Sequence, residues 1–185
     1  MTSAMEILRQ DHKNLERLLE ALERQVAHFE AGEETDLDIV KAVVDYCLTY
    51  PDLCHHPKED VVLRQLQVRD AARAERVGDL EDEHRRLAVT TRQFGEALDE
   101  LLKSDTPLDR AFADEARRFL DDYRTHMEME ETHFFPVAEA ALTPEDWQVV
   151  DREVEQMVDP MFGGRVEERY KVLRNEILLW DEVSP

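Results

Sequence analysis

The sequence predicts an all-α protein: an antiparallel up-down-up-down four-helix bundle with an additional C-terminal helical segment. Three observations carry this. Apolar residues recur at alternating spacings of three and four through four long segments, as amphipathic helices require. The 185 residues contain only 5 Gly and 7 Pro, little turn material for a fold of many hairpins. Hydrophobic residues make up 42%, so a core exists to be buried although 36% of the chain is charged.

The elements follow in order. Ser3-Ala4-Met5-Glu6 is a capping box. From it runs a stripe of Leu8, His12, Leu15, Leu19, Leu22, Val26 and Phe29, which Gly32 to Asp36 interrupts. A second helix is predicted from Leu37 to Val68, with Val40, Val44, Cys47, Pro51, His55, Glu59, Val62 and Leu66 inward. Pro51 and Pro57 remove backbone donors inside it, so a bent helix is expected. The third covers Ala71 to Lys103, with Val77, Leu80, His84, Leu87, Thr91, Phe94, Leu98 and Leu101 on one face. Thr106-Pro107 reads as an N-cap and first-turn proline for the fourth. That helix carries Phe112, Phe119, Tyr123, His126, Glu130 and Val137 on one face, with Pro136 near its end. Thr143-Pro144-Glu145-Asp146-Trp147 caps a further helix to about Val158, and a last one carries Val166, Tyr170, Leu173, Ile177 and Trp180. The organisation expected is a bundle over residues 1–141 and a helical extension over 142–185 packed on it.

The charge narrows the partners. Lys and Arg total 23 against 44 Asp and Glu, a net charge of −21. Nucleic acid and anionic membrane surfaces are disfavoured, because their phosphates would be repelled. No run reaches the length of apolar residues that spans a bilayer. The N-terminus has no basic stretch followed by an apolar one, so a cytoplasmic location is expected. Cys47 and Cys54, seven residues apart on a helix and so roughly 10 Å in rise, are expected as two reduced thiols.

The functional signal lies in the histidines. Four His and two Glu occupy core-facing positions, where unpartnered ionisable groups would cost several kcal/mol each. Asp11-His12 and Glu83-His84 repeat an acidic-His-x-x-Leu pattern in the first and third helices. His55 with Glu59, and His126 with Glu130, are spaced i, i+4 on one helix face, one turn apart. The offsets between the halves agree: 84 − 12 = 72, 126 − 55 = 71 and 130 − 59 = 71. Counting ~1.5 Å per residue puts all six near one height in an antiparallel bundle. A nitrogen and oxygen set of six is too large for one tetrahedral zinc. It suits two metal ions: His12 and His55 on one, His84 and His126 on the other, Glu59 and Glu130 bridging. Iron fits best, with manganese or zinc as competitors. The alternative is a buried His/Glu hydrogen-bond network without metal.

Neighbouring residues get secondary roles. His56 points ~100° from His55 on a regular helix, and becomes an extra ligand only if the kink at Pro57 turns it inward. His133 is read as a neighbouring-layer or surface residue, and His28 as exposed or partly exposed. Asp11, Asp60, Glu83 and Glu131 are either exposed charges or partners that orient ligand imidazoles. Tyr46, Tyr50 and Tyr123 pack the core or hydrogen-bond a bound ligand.

These segments resemble the hemerythrin family with its HHE cation-binding domain. The match rests on Asp11-His12, His55-His56-Pro57-Lys58-Glu59-Asp60, Glu83-His84, and His126-Met127-Glu128-Met129-Glu130-Glu131 followed by Phe134-Phe135-Pro136, within about residues 4 to 140. The resemblance implies a four-helix bundle around a carboxylate-bridged, non-haem diiron centre that binds O2 or related small molecules. Oxygen-carrying hemerythrins have a further His one turn before the third-helix ligand, where this chain has Leu80, and Asp where it has Glu130. That difference leans toward bacterial hemerythrin-like proteins that handle O2, peroxide, NO or iron. The leading expectation is a binding, sensing or buffering protein. The alternatives are a diiron enzyme reducing peroxide or NO, and an interaction module whose C-terminal helices form a homodimer surface.

Overall fold

The computed structural model describes residues 3–103 and 109–157, together with position 175. Every regular element among them is helical. Helix α1 (Ala4–Ala31) opens on the expected capping box: the Ser3 hydroxyl accepts from Glu6 N and the Glu6 carboxylate accepts from Ser3 N. It closes at Gly32, whose φ of 72° lies in the left-handed region that glycine enters freely.

The second stretch is not one regular helix. It consists of α2 (Leu37–Cys47), a π-helical turn (Pro51–His55) and α3 (His56–Arg69). Both prolines stand in the first turn of their element, where a missing N–H costs least. The bend expected from Pro51 is therefore a π turn, with one extra residue in the helical winding.

The single third helix expected over Ala71–Lys103 is corrected to two, α4 (Ala71–Val77) and α5 (Leu80–Lys103). The break falls at Gly78, whose φ of 89° with ψ of −166° only glycine adopts without strain. Helix α6 (Arg110–Met129) is capped by Asp109, whose carboxylate accepts from Phe112 N. The Thr106-Pro107 cap expected there lies outside the described residues. A second π turn (Glu130–Phe134) leads into α7 (Phe135–Ala141), with Pro136 again in the first turn.

Helix α8 (Pro144–Val154) starts on a Thr143–Asp146 capping box and lies against α3 and α1. It ends at Val154, short of the expected Val158, with Val150 and Val154 buried and Trp147 half-buried. Asp146 fastens it to α3, accepting from Arg69 at 2.6 and 2.9 Å and from Gln65 at 2.7 Å. The helix expected over Val166–Trp180 lies outside the described residues.

α1 packs on α2 and α6, and α5 closes the ring by packing on the same two. The core divides into two apolar clusters. One gathers Leu15–Val26, Ile39–Tyr50, Leu87–Leu98 and Phe112–Met127; the other gathers Ala4–Leu8, Val61–Leu66, Ala74–Leu80 and Phe134–Val154. Successive long segments cross these clusters in opposite order, and each carries its histidine at the crossing.

Candidate metal centre

Seven buried side chains meet between the two clusters: His12 from α1, His55 from the first π turn, His56 and Glu59 from α3, His84 from α5, His126 from α6 and Glu130 from the second π turn. All six residues expected as ligands are here, with His56 as the seventh. They form two groups with donor atoms within 4.8 Å of one another: His12, His55, Glu59 and Glu130, and His56, His84 and His126. On a regular helix His56 would have turned away; at the junction of the π turn and α3 it stacks on His84 with ring centroids 3.8 Å apart.

The carboxylates link the groups. Glu59 turns Oε1 to His55 Nε2 at 3.5 Å and Oε2 to His84 Nε2 at 3.3 Å. Glu130 turns Oε2 to His12 Nε2 at 3.2 Å, and Oε1 to His84 Nε2 at 3.3 Å and His126 Nε2 at 3.0 Å. Each glutamate thus has one oxygen facing each group.

The imidazoles are aimed from behind. His12 Nδ1 lies 3.0 Å from Glu131 Oε1, His55 Nδ1 3.4 Å from Asp11 Oδ2, and His56 Nδ1 3.2 Å from Asp52 Oδ1. His126 Nδ1 faces Glu83 Oε2 at 3.8 Å. A carboxylate on Nδ1 keeps the proton there and leaves Nε2 for a cation. Asp11 and Glu131 thus stand where an orienting role predicts, and Glu83 faces His126 at longer range. Asp60 does not: it is exposed, and Asp52 in the π turn meets His56 instead.

Protonation follows these surroundings. Burial pushes the Glu59 carboxyl well above its ordinary range, and the neighbouring Glu130 charge adds to it. Burial works against the Glu130 charge too, but the imidazoles of His12, His126 and His84 around it hold it well below that range. Burial lowers His55 to about 4 against the pull of Asp11, so it is neutral near pH 7. His12 is also buried, yet Glu130 and Glu131 raise it.

The layer does not satisfy itself. Both oxygens of Glu59, Oε2 of Glu130 and both ring nitrogens of His126 are buried without a hydrogen-bond partner. His12 Nε2 and His55 Nε2 face each other at 3.2 Å, a contact that holds at most one proton. Lone pairs converging in this way fit a cation.

The remaining candidates are structural. His133 Nε2 donates to Arg76 O at 2.8 Å and ties the second π turn to α4, while His28 is partly exposed. Cys47 is buried, its thiol pushed up to about 12 by burial, and Cys54 is half-buried; neither forms a disulfide. Tyr46 stacks on Tyr50 at 4.9 Å, and Tyr123 donates to Cys47 O at 3.2 Å. Lys58 was not foreseen. A lysine beside a ligand in sequence ordinarily faces water, yet its side chain is buried.

Fold and site together define a helical protein with a buried histidine–carboxylate layer that could hold metal. The chain belongs to the Hemerythrin family, described by its HHE cation binding domain, whose model matches residues 3–138. Comparison with curated proteins and with solved structures finds no match. Among the described residues no helix is long and apolar enough to cross a membrane.

Proposed function

We propose that this is a carboxylate-bridged, non-haem diiron protein of the hemerythrin type that binds, senses or buffers O2, iron or related small ligands. The observation that carries it is the division of Glu59 and Glu130, each with one oxygen toward each histidine group. His12 and His55 would hold one ion, and His84, His126 and His56 the other. Two cations would neutralise two buried carboxylates and give the orphaned glutamate oxygens and His126 Nε2 the partners that a metal-free network does not supply.

Iron bound there supplies a redox couple and coordination positions open to O2, peroxide or NO. The chain's own residues prepare the site. Glu131, Asp11 and Asp52 hold Nδ1 of their imidazoles, so that Nε2 carries the lone pair. Phe135 stacks on His12 at 5.2 Å, and the buried Phe134 and Phe135 keep water from that side. The up-down-up-down topology belongs to the same reading, supported by the alternating order in which the segments cross the two clusters.

The test is anaerobic loading with ferrous iron, metal analysis and optical spectroscopy in air. Two irons per chain and a stable charge-transfer band support a binding protein; bleaching with consumption of added peroxide supports the enzyme alternative. No more than trace metal, unchanged by His55→Ala with His126→Ala, sinks the proposal.

A further inference from the structure

Lys58 is the only buried lysine among the described residues. Its Nζ donates to Asp11 Oδ2 at 2.7 Å and to Tyr50 Oη at 3.0 Å. The same Asp11 oxygen faces His55 Nδ1 at 3.4 Å. A continuous line therefore runs from a buried ammonium through a buried carboxylate to an imidazole whose Nε2 faces Glu59. The other orienting carboxylates differ. The Glu131, Asp52 and Glu83 side chains are 34%, 54% and 38% exposed, so water screens them. Asp11 is screened by Lys58 instead. Stability alone does not account for this pair, since well-packed apolar residues do as well or better than a buried ion pair.

We infer that Lys58 is a positioning residue for the metal centre, acting through Asp11 on His55. It holds the Asp11 carboxylate against Nδ1, so that His55 presents Nε2. Its charge also draws electron density from that imidazole, which makes the ion at His12 and His55 harder to oxidise than it would be without Lys58. The inference rests on the diiron reading above.

The full chain tests it in two ways. In the zinc-loaded wild type, nitrogen-15 spectra of the histidines should show His55 protonated at Nδ1 and bound through Nε2; binding through Nδ1 overturns the inference. In the iron-loaded protein, Lys58→Met should keep two irons per chain and move a reduction midpoint to lower potential. Lys58→Arg should stay near the wild type. In an Asp11→Asn background, Lys58→Met should move the midpoint less than half as far. An unchanged midpoint in fully loaded Lys58→Met, or equal shifts in both backgrounds, overturns the inference and leaves the diiron reading standing. A wild type that binds only trace zinc and iron overturns both. If Lys58→Met does not fold, Lys58→Gln, which keeps a donor toward Asp11 and Tyr50 without the charge, takes its place with the same expected shift and the same refuting outcomes.

Discussion

Replacing Glu59 by leucine should stabilise the metal-free protein and abolish its stabilisation by metal. Glu59 is completely buried, and neither oxygen has a hydrogen-bond partner. An unsatisfied buried polar atom costs about 1–3 kcal/mol, so the two oxygens together cost roughly 2–6 kcal/mol in the absence of a cation. Imperfect fit of the leucine returns ~1–2 kcal/mol of that. A net gain of about 0–5 kcal/mol in a chain this long raises Tm by up to roughly 10–20 °C. The folded-state pKa of Glu59 lies above its ordinary 4.5. Between those two values the folded state holds a proton that the unfolded state has released, so metal-free stability falls as pH rises through this window. The advantage of the leucine variant therefore grows from about pH 4.5 upward. Ferrous iron should reverse the ranking. The wild type gains about 4 kcal/mol at a free ion concentration a thousandfold above Kd, and the variant gains far less. Thermal unfolding followed by circular dichroism, in chelator and in anaerobic ferrous iron, reads both arms. A metal-free variant less stable than the wild type by more than ~1 kcal/mol would mean that the protein itself satisfies this carboxylate, removing the physical motive for a bound cation.

Other expectations are more local. His56→Ala should cost the ion held with His84 and His126 while that at His12 and His55 is retained, read as iron per chain after gel filtration; loss of both, or of neither, contradicts the grouping. Arg69, Gln65 and Thr143 hold the Asp146 carboxyl below its ordinary 3.8, so its contribution is present above that value and disappears as pH falls through the folded-state value. The stability gap between wild type and Asp146→Asn should accordingly be constant above about pH 5 and close in acid, as urea unfolding at several pH values will show. Gly78→Ala forces a β-carbon into a backbone region with φ of 89° and should cost about 1–3 kcal/mol in the same assay. Phe94→Ala, which empties a buried ring position, should cost about 3–5 kcal/mol.

His12 and His84 were legible because they lie on regular helices, where a 3.6-residue period states which face a side chain occupies. His55 with Glu59 and His126 with Glu130 were legible as i, i+4 pairs, a spacing that survives small changes in winding. His56 was not legible, because a ~100° step turns it away and only the π turn before it turns it back. Asp52 was missed with it, because its i, i+4 contact with His56 matters only once His56 faces inward; Asp60, expected as a candidate, is exposed. The break at Gly78 went unread because the apolar stripe continues across it from Val77 to Leu80. Lys58 left no periodic signal at all, since its burial depends on Asp11 in another helix.

The contrast between buried charges within this molecule carries more weight than their number. Asp146 is buried, and Arg69, Gln65 and Thr143 satisfy it. Asp11 and Lys58 are buried and satisfy each other. The sequence therefore provides partners for the charges it encloses, even with 44 acidic side chains to manage. The orphaned side-chain atoms among the described residues belong to Glu59, His126 and Glu130 alone. All three stand in one layer, among the imidazoles of His12, His55, His56 and His84. Loose packing would scatter such atoms through the core. Their confinement to the one place where two histidine groups share two carboxylates points to a partner supplied from outside the chain, and lone pairs converging from nitrogen and oxygen require that partner to be positively charged.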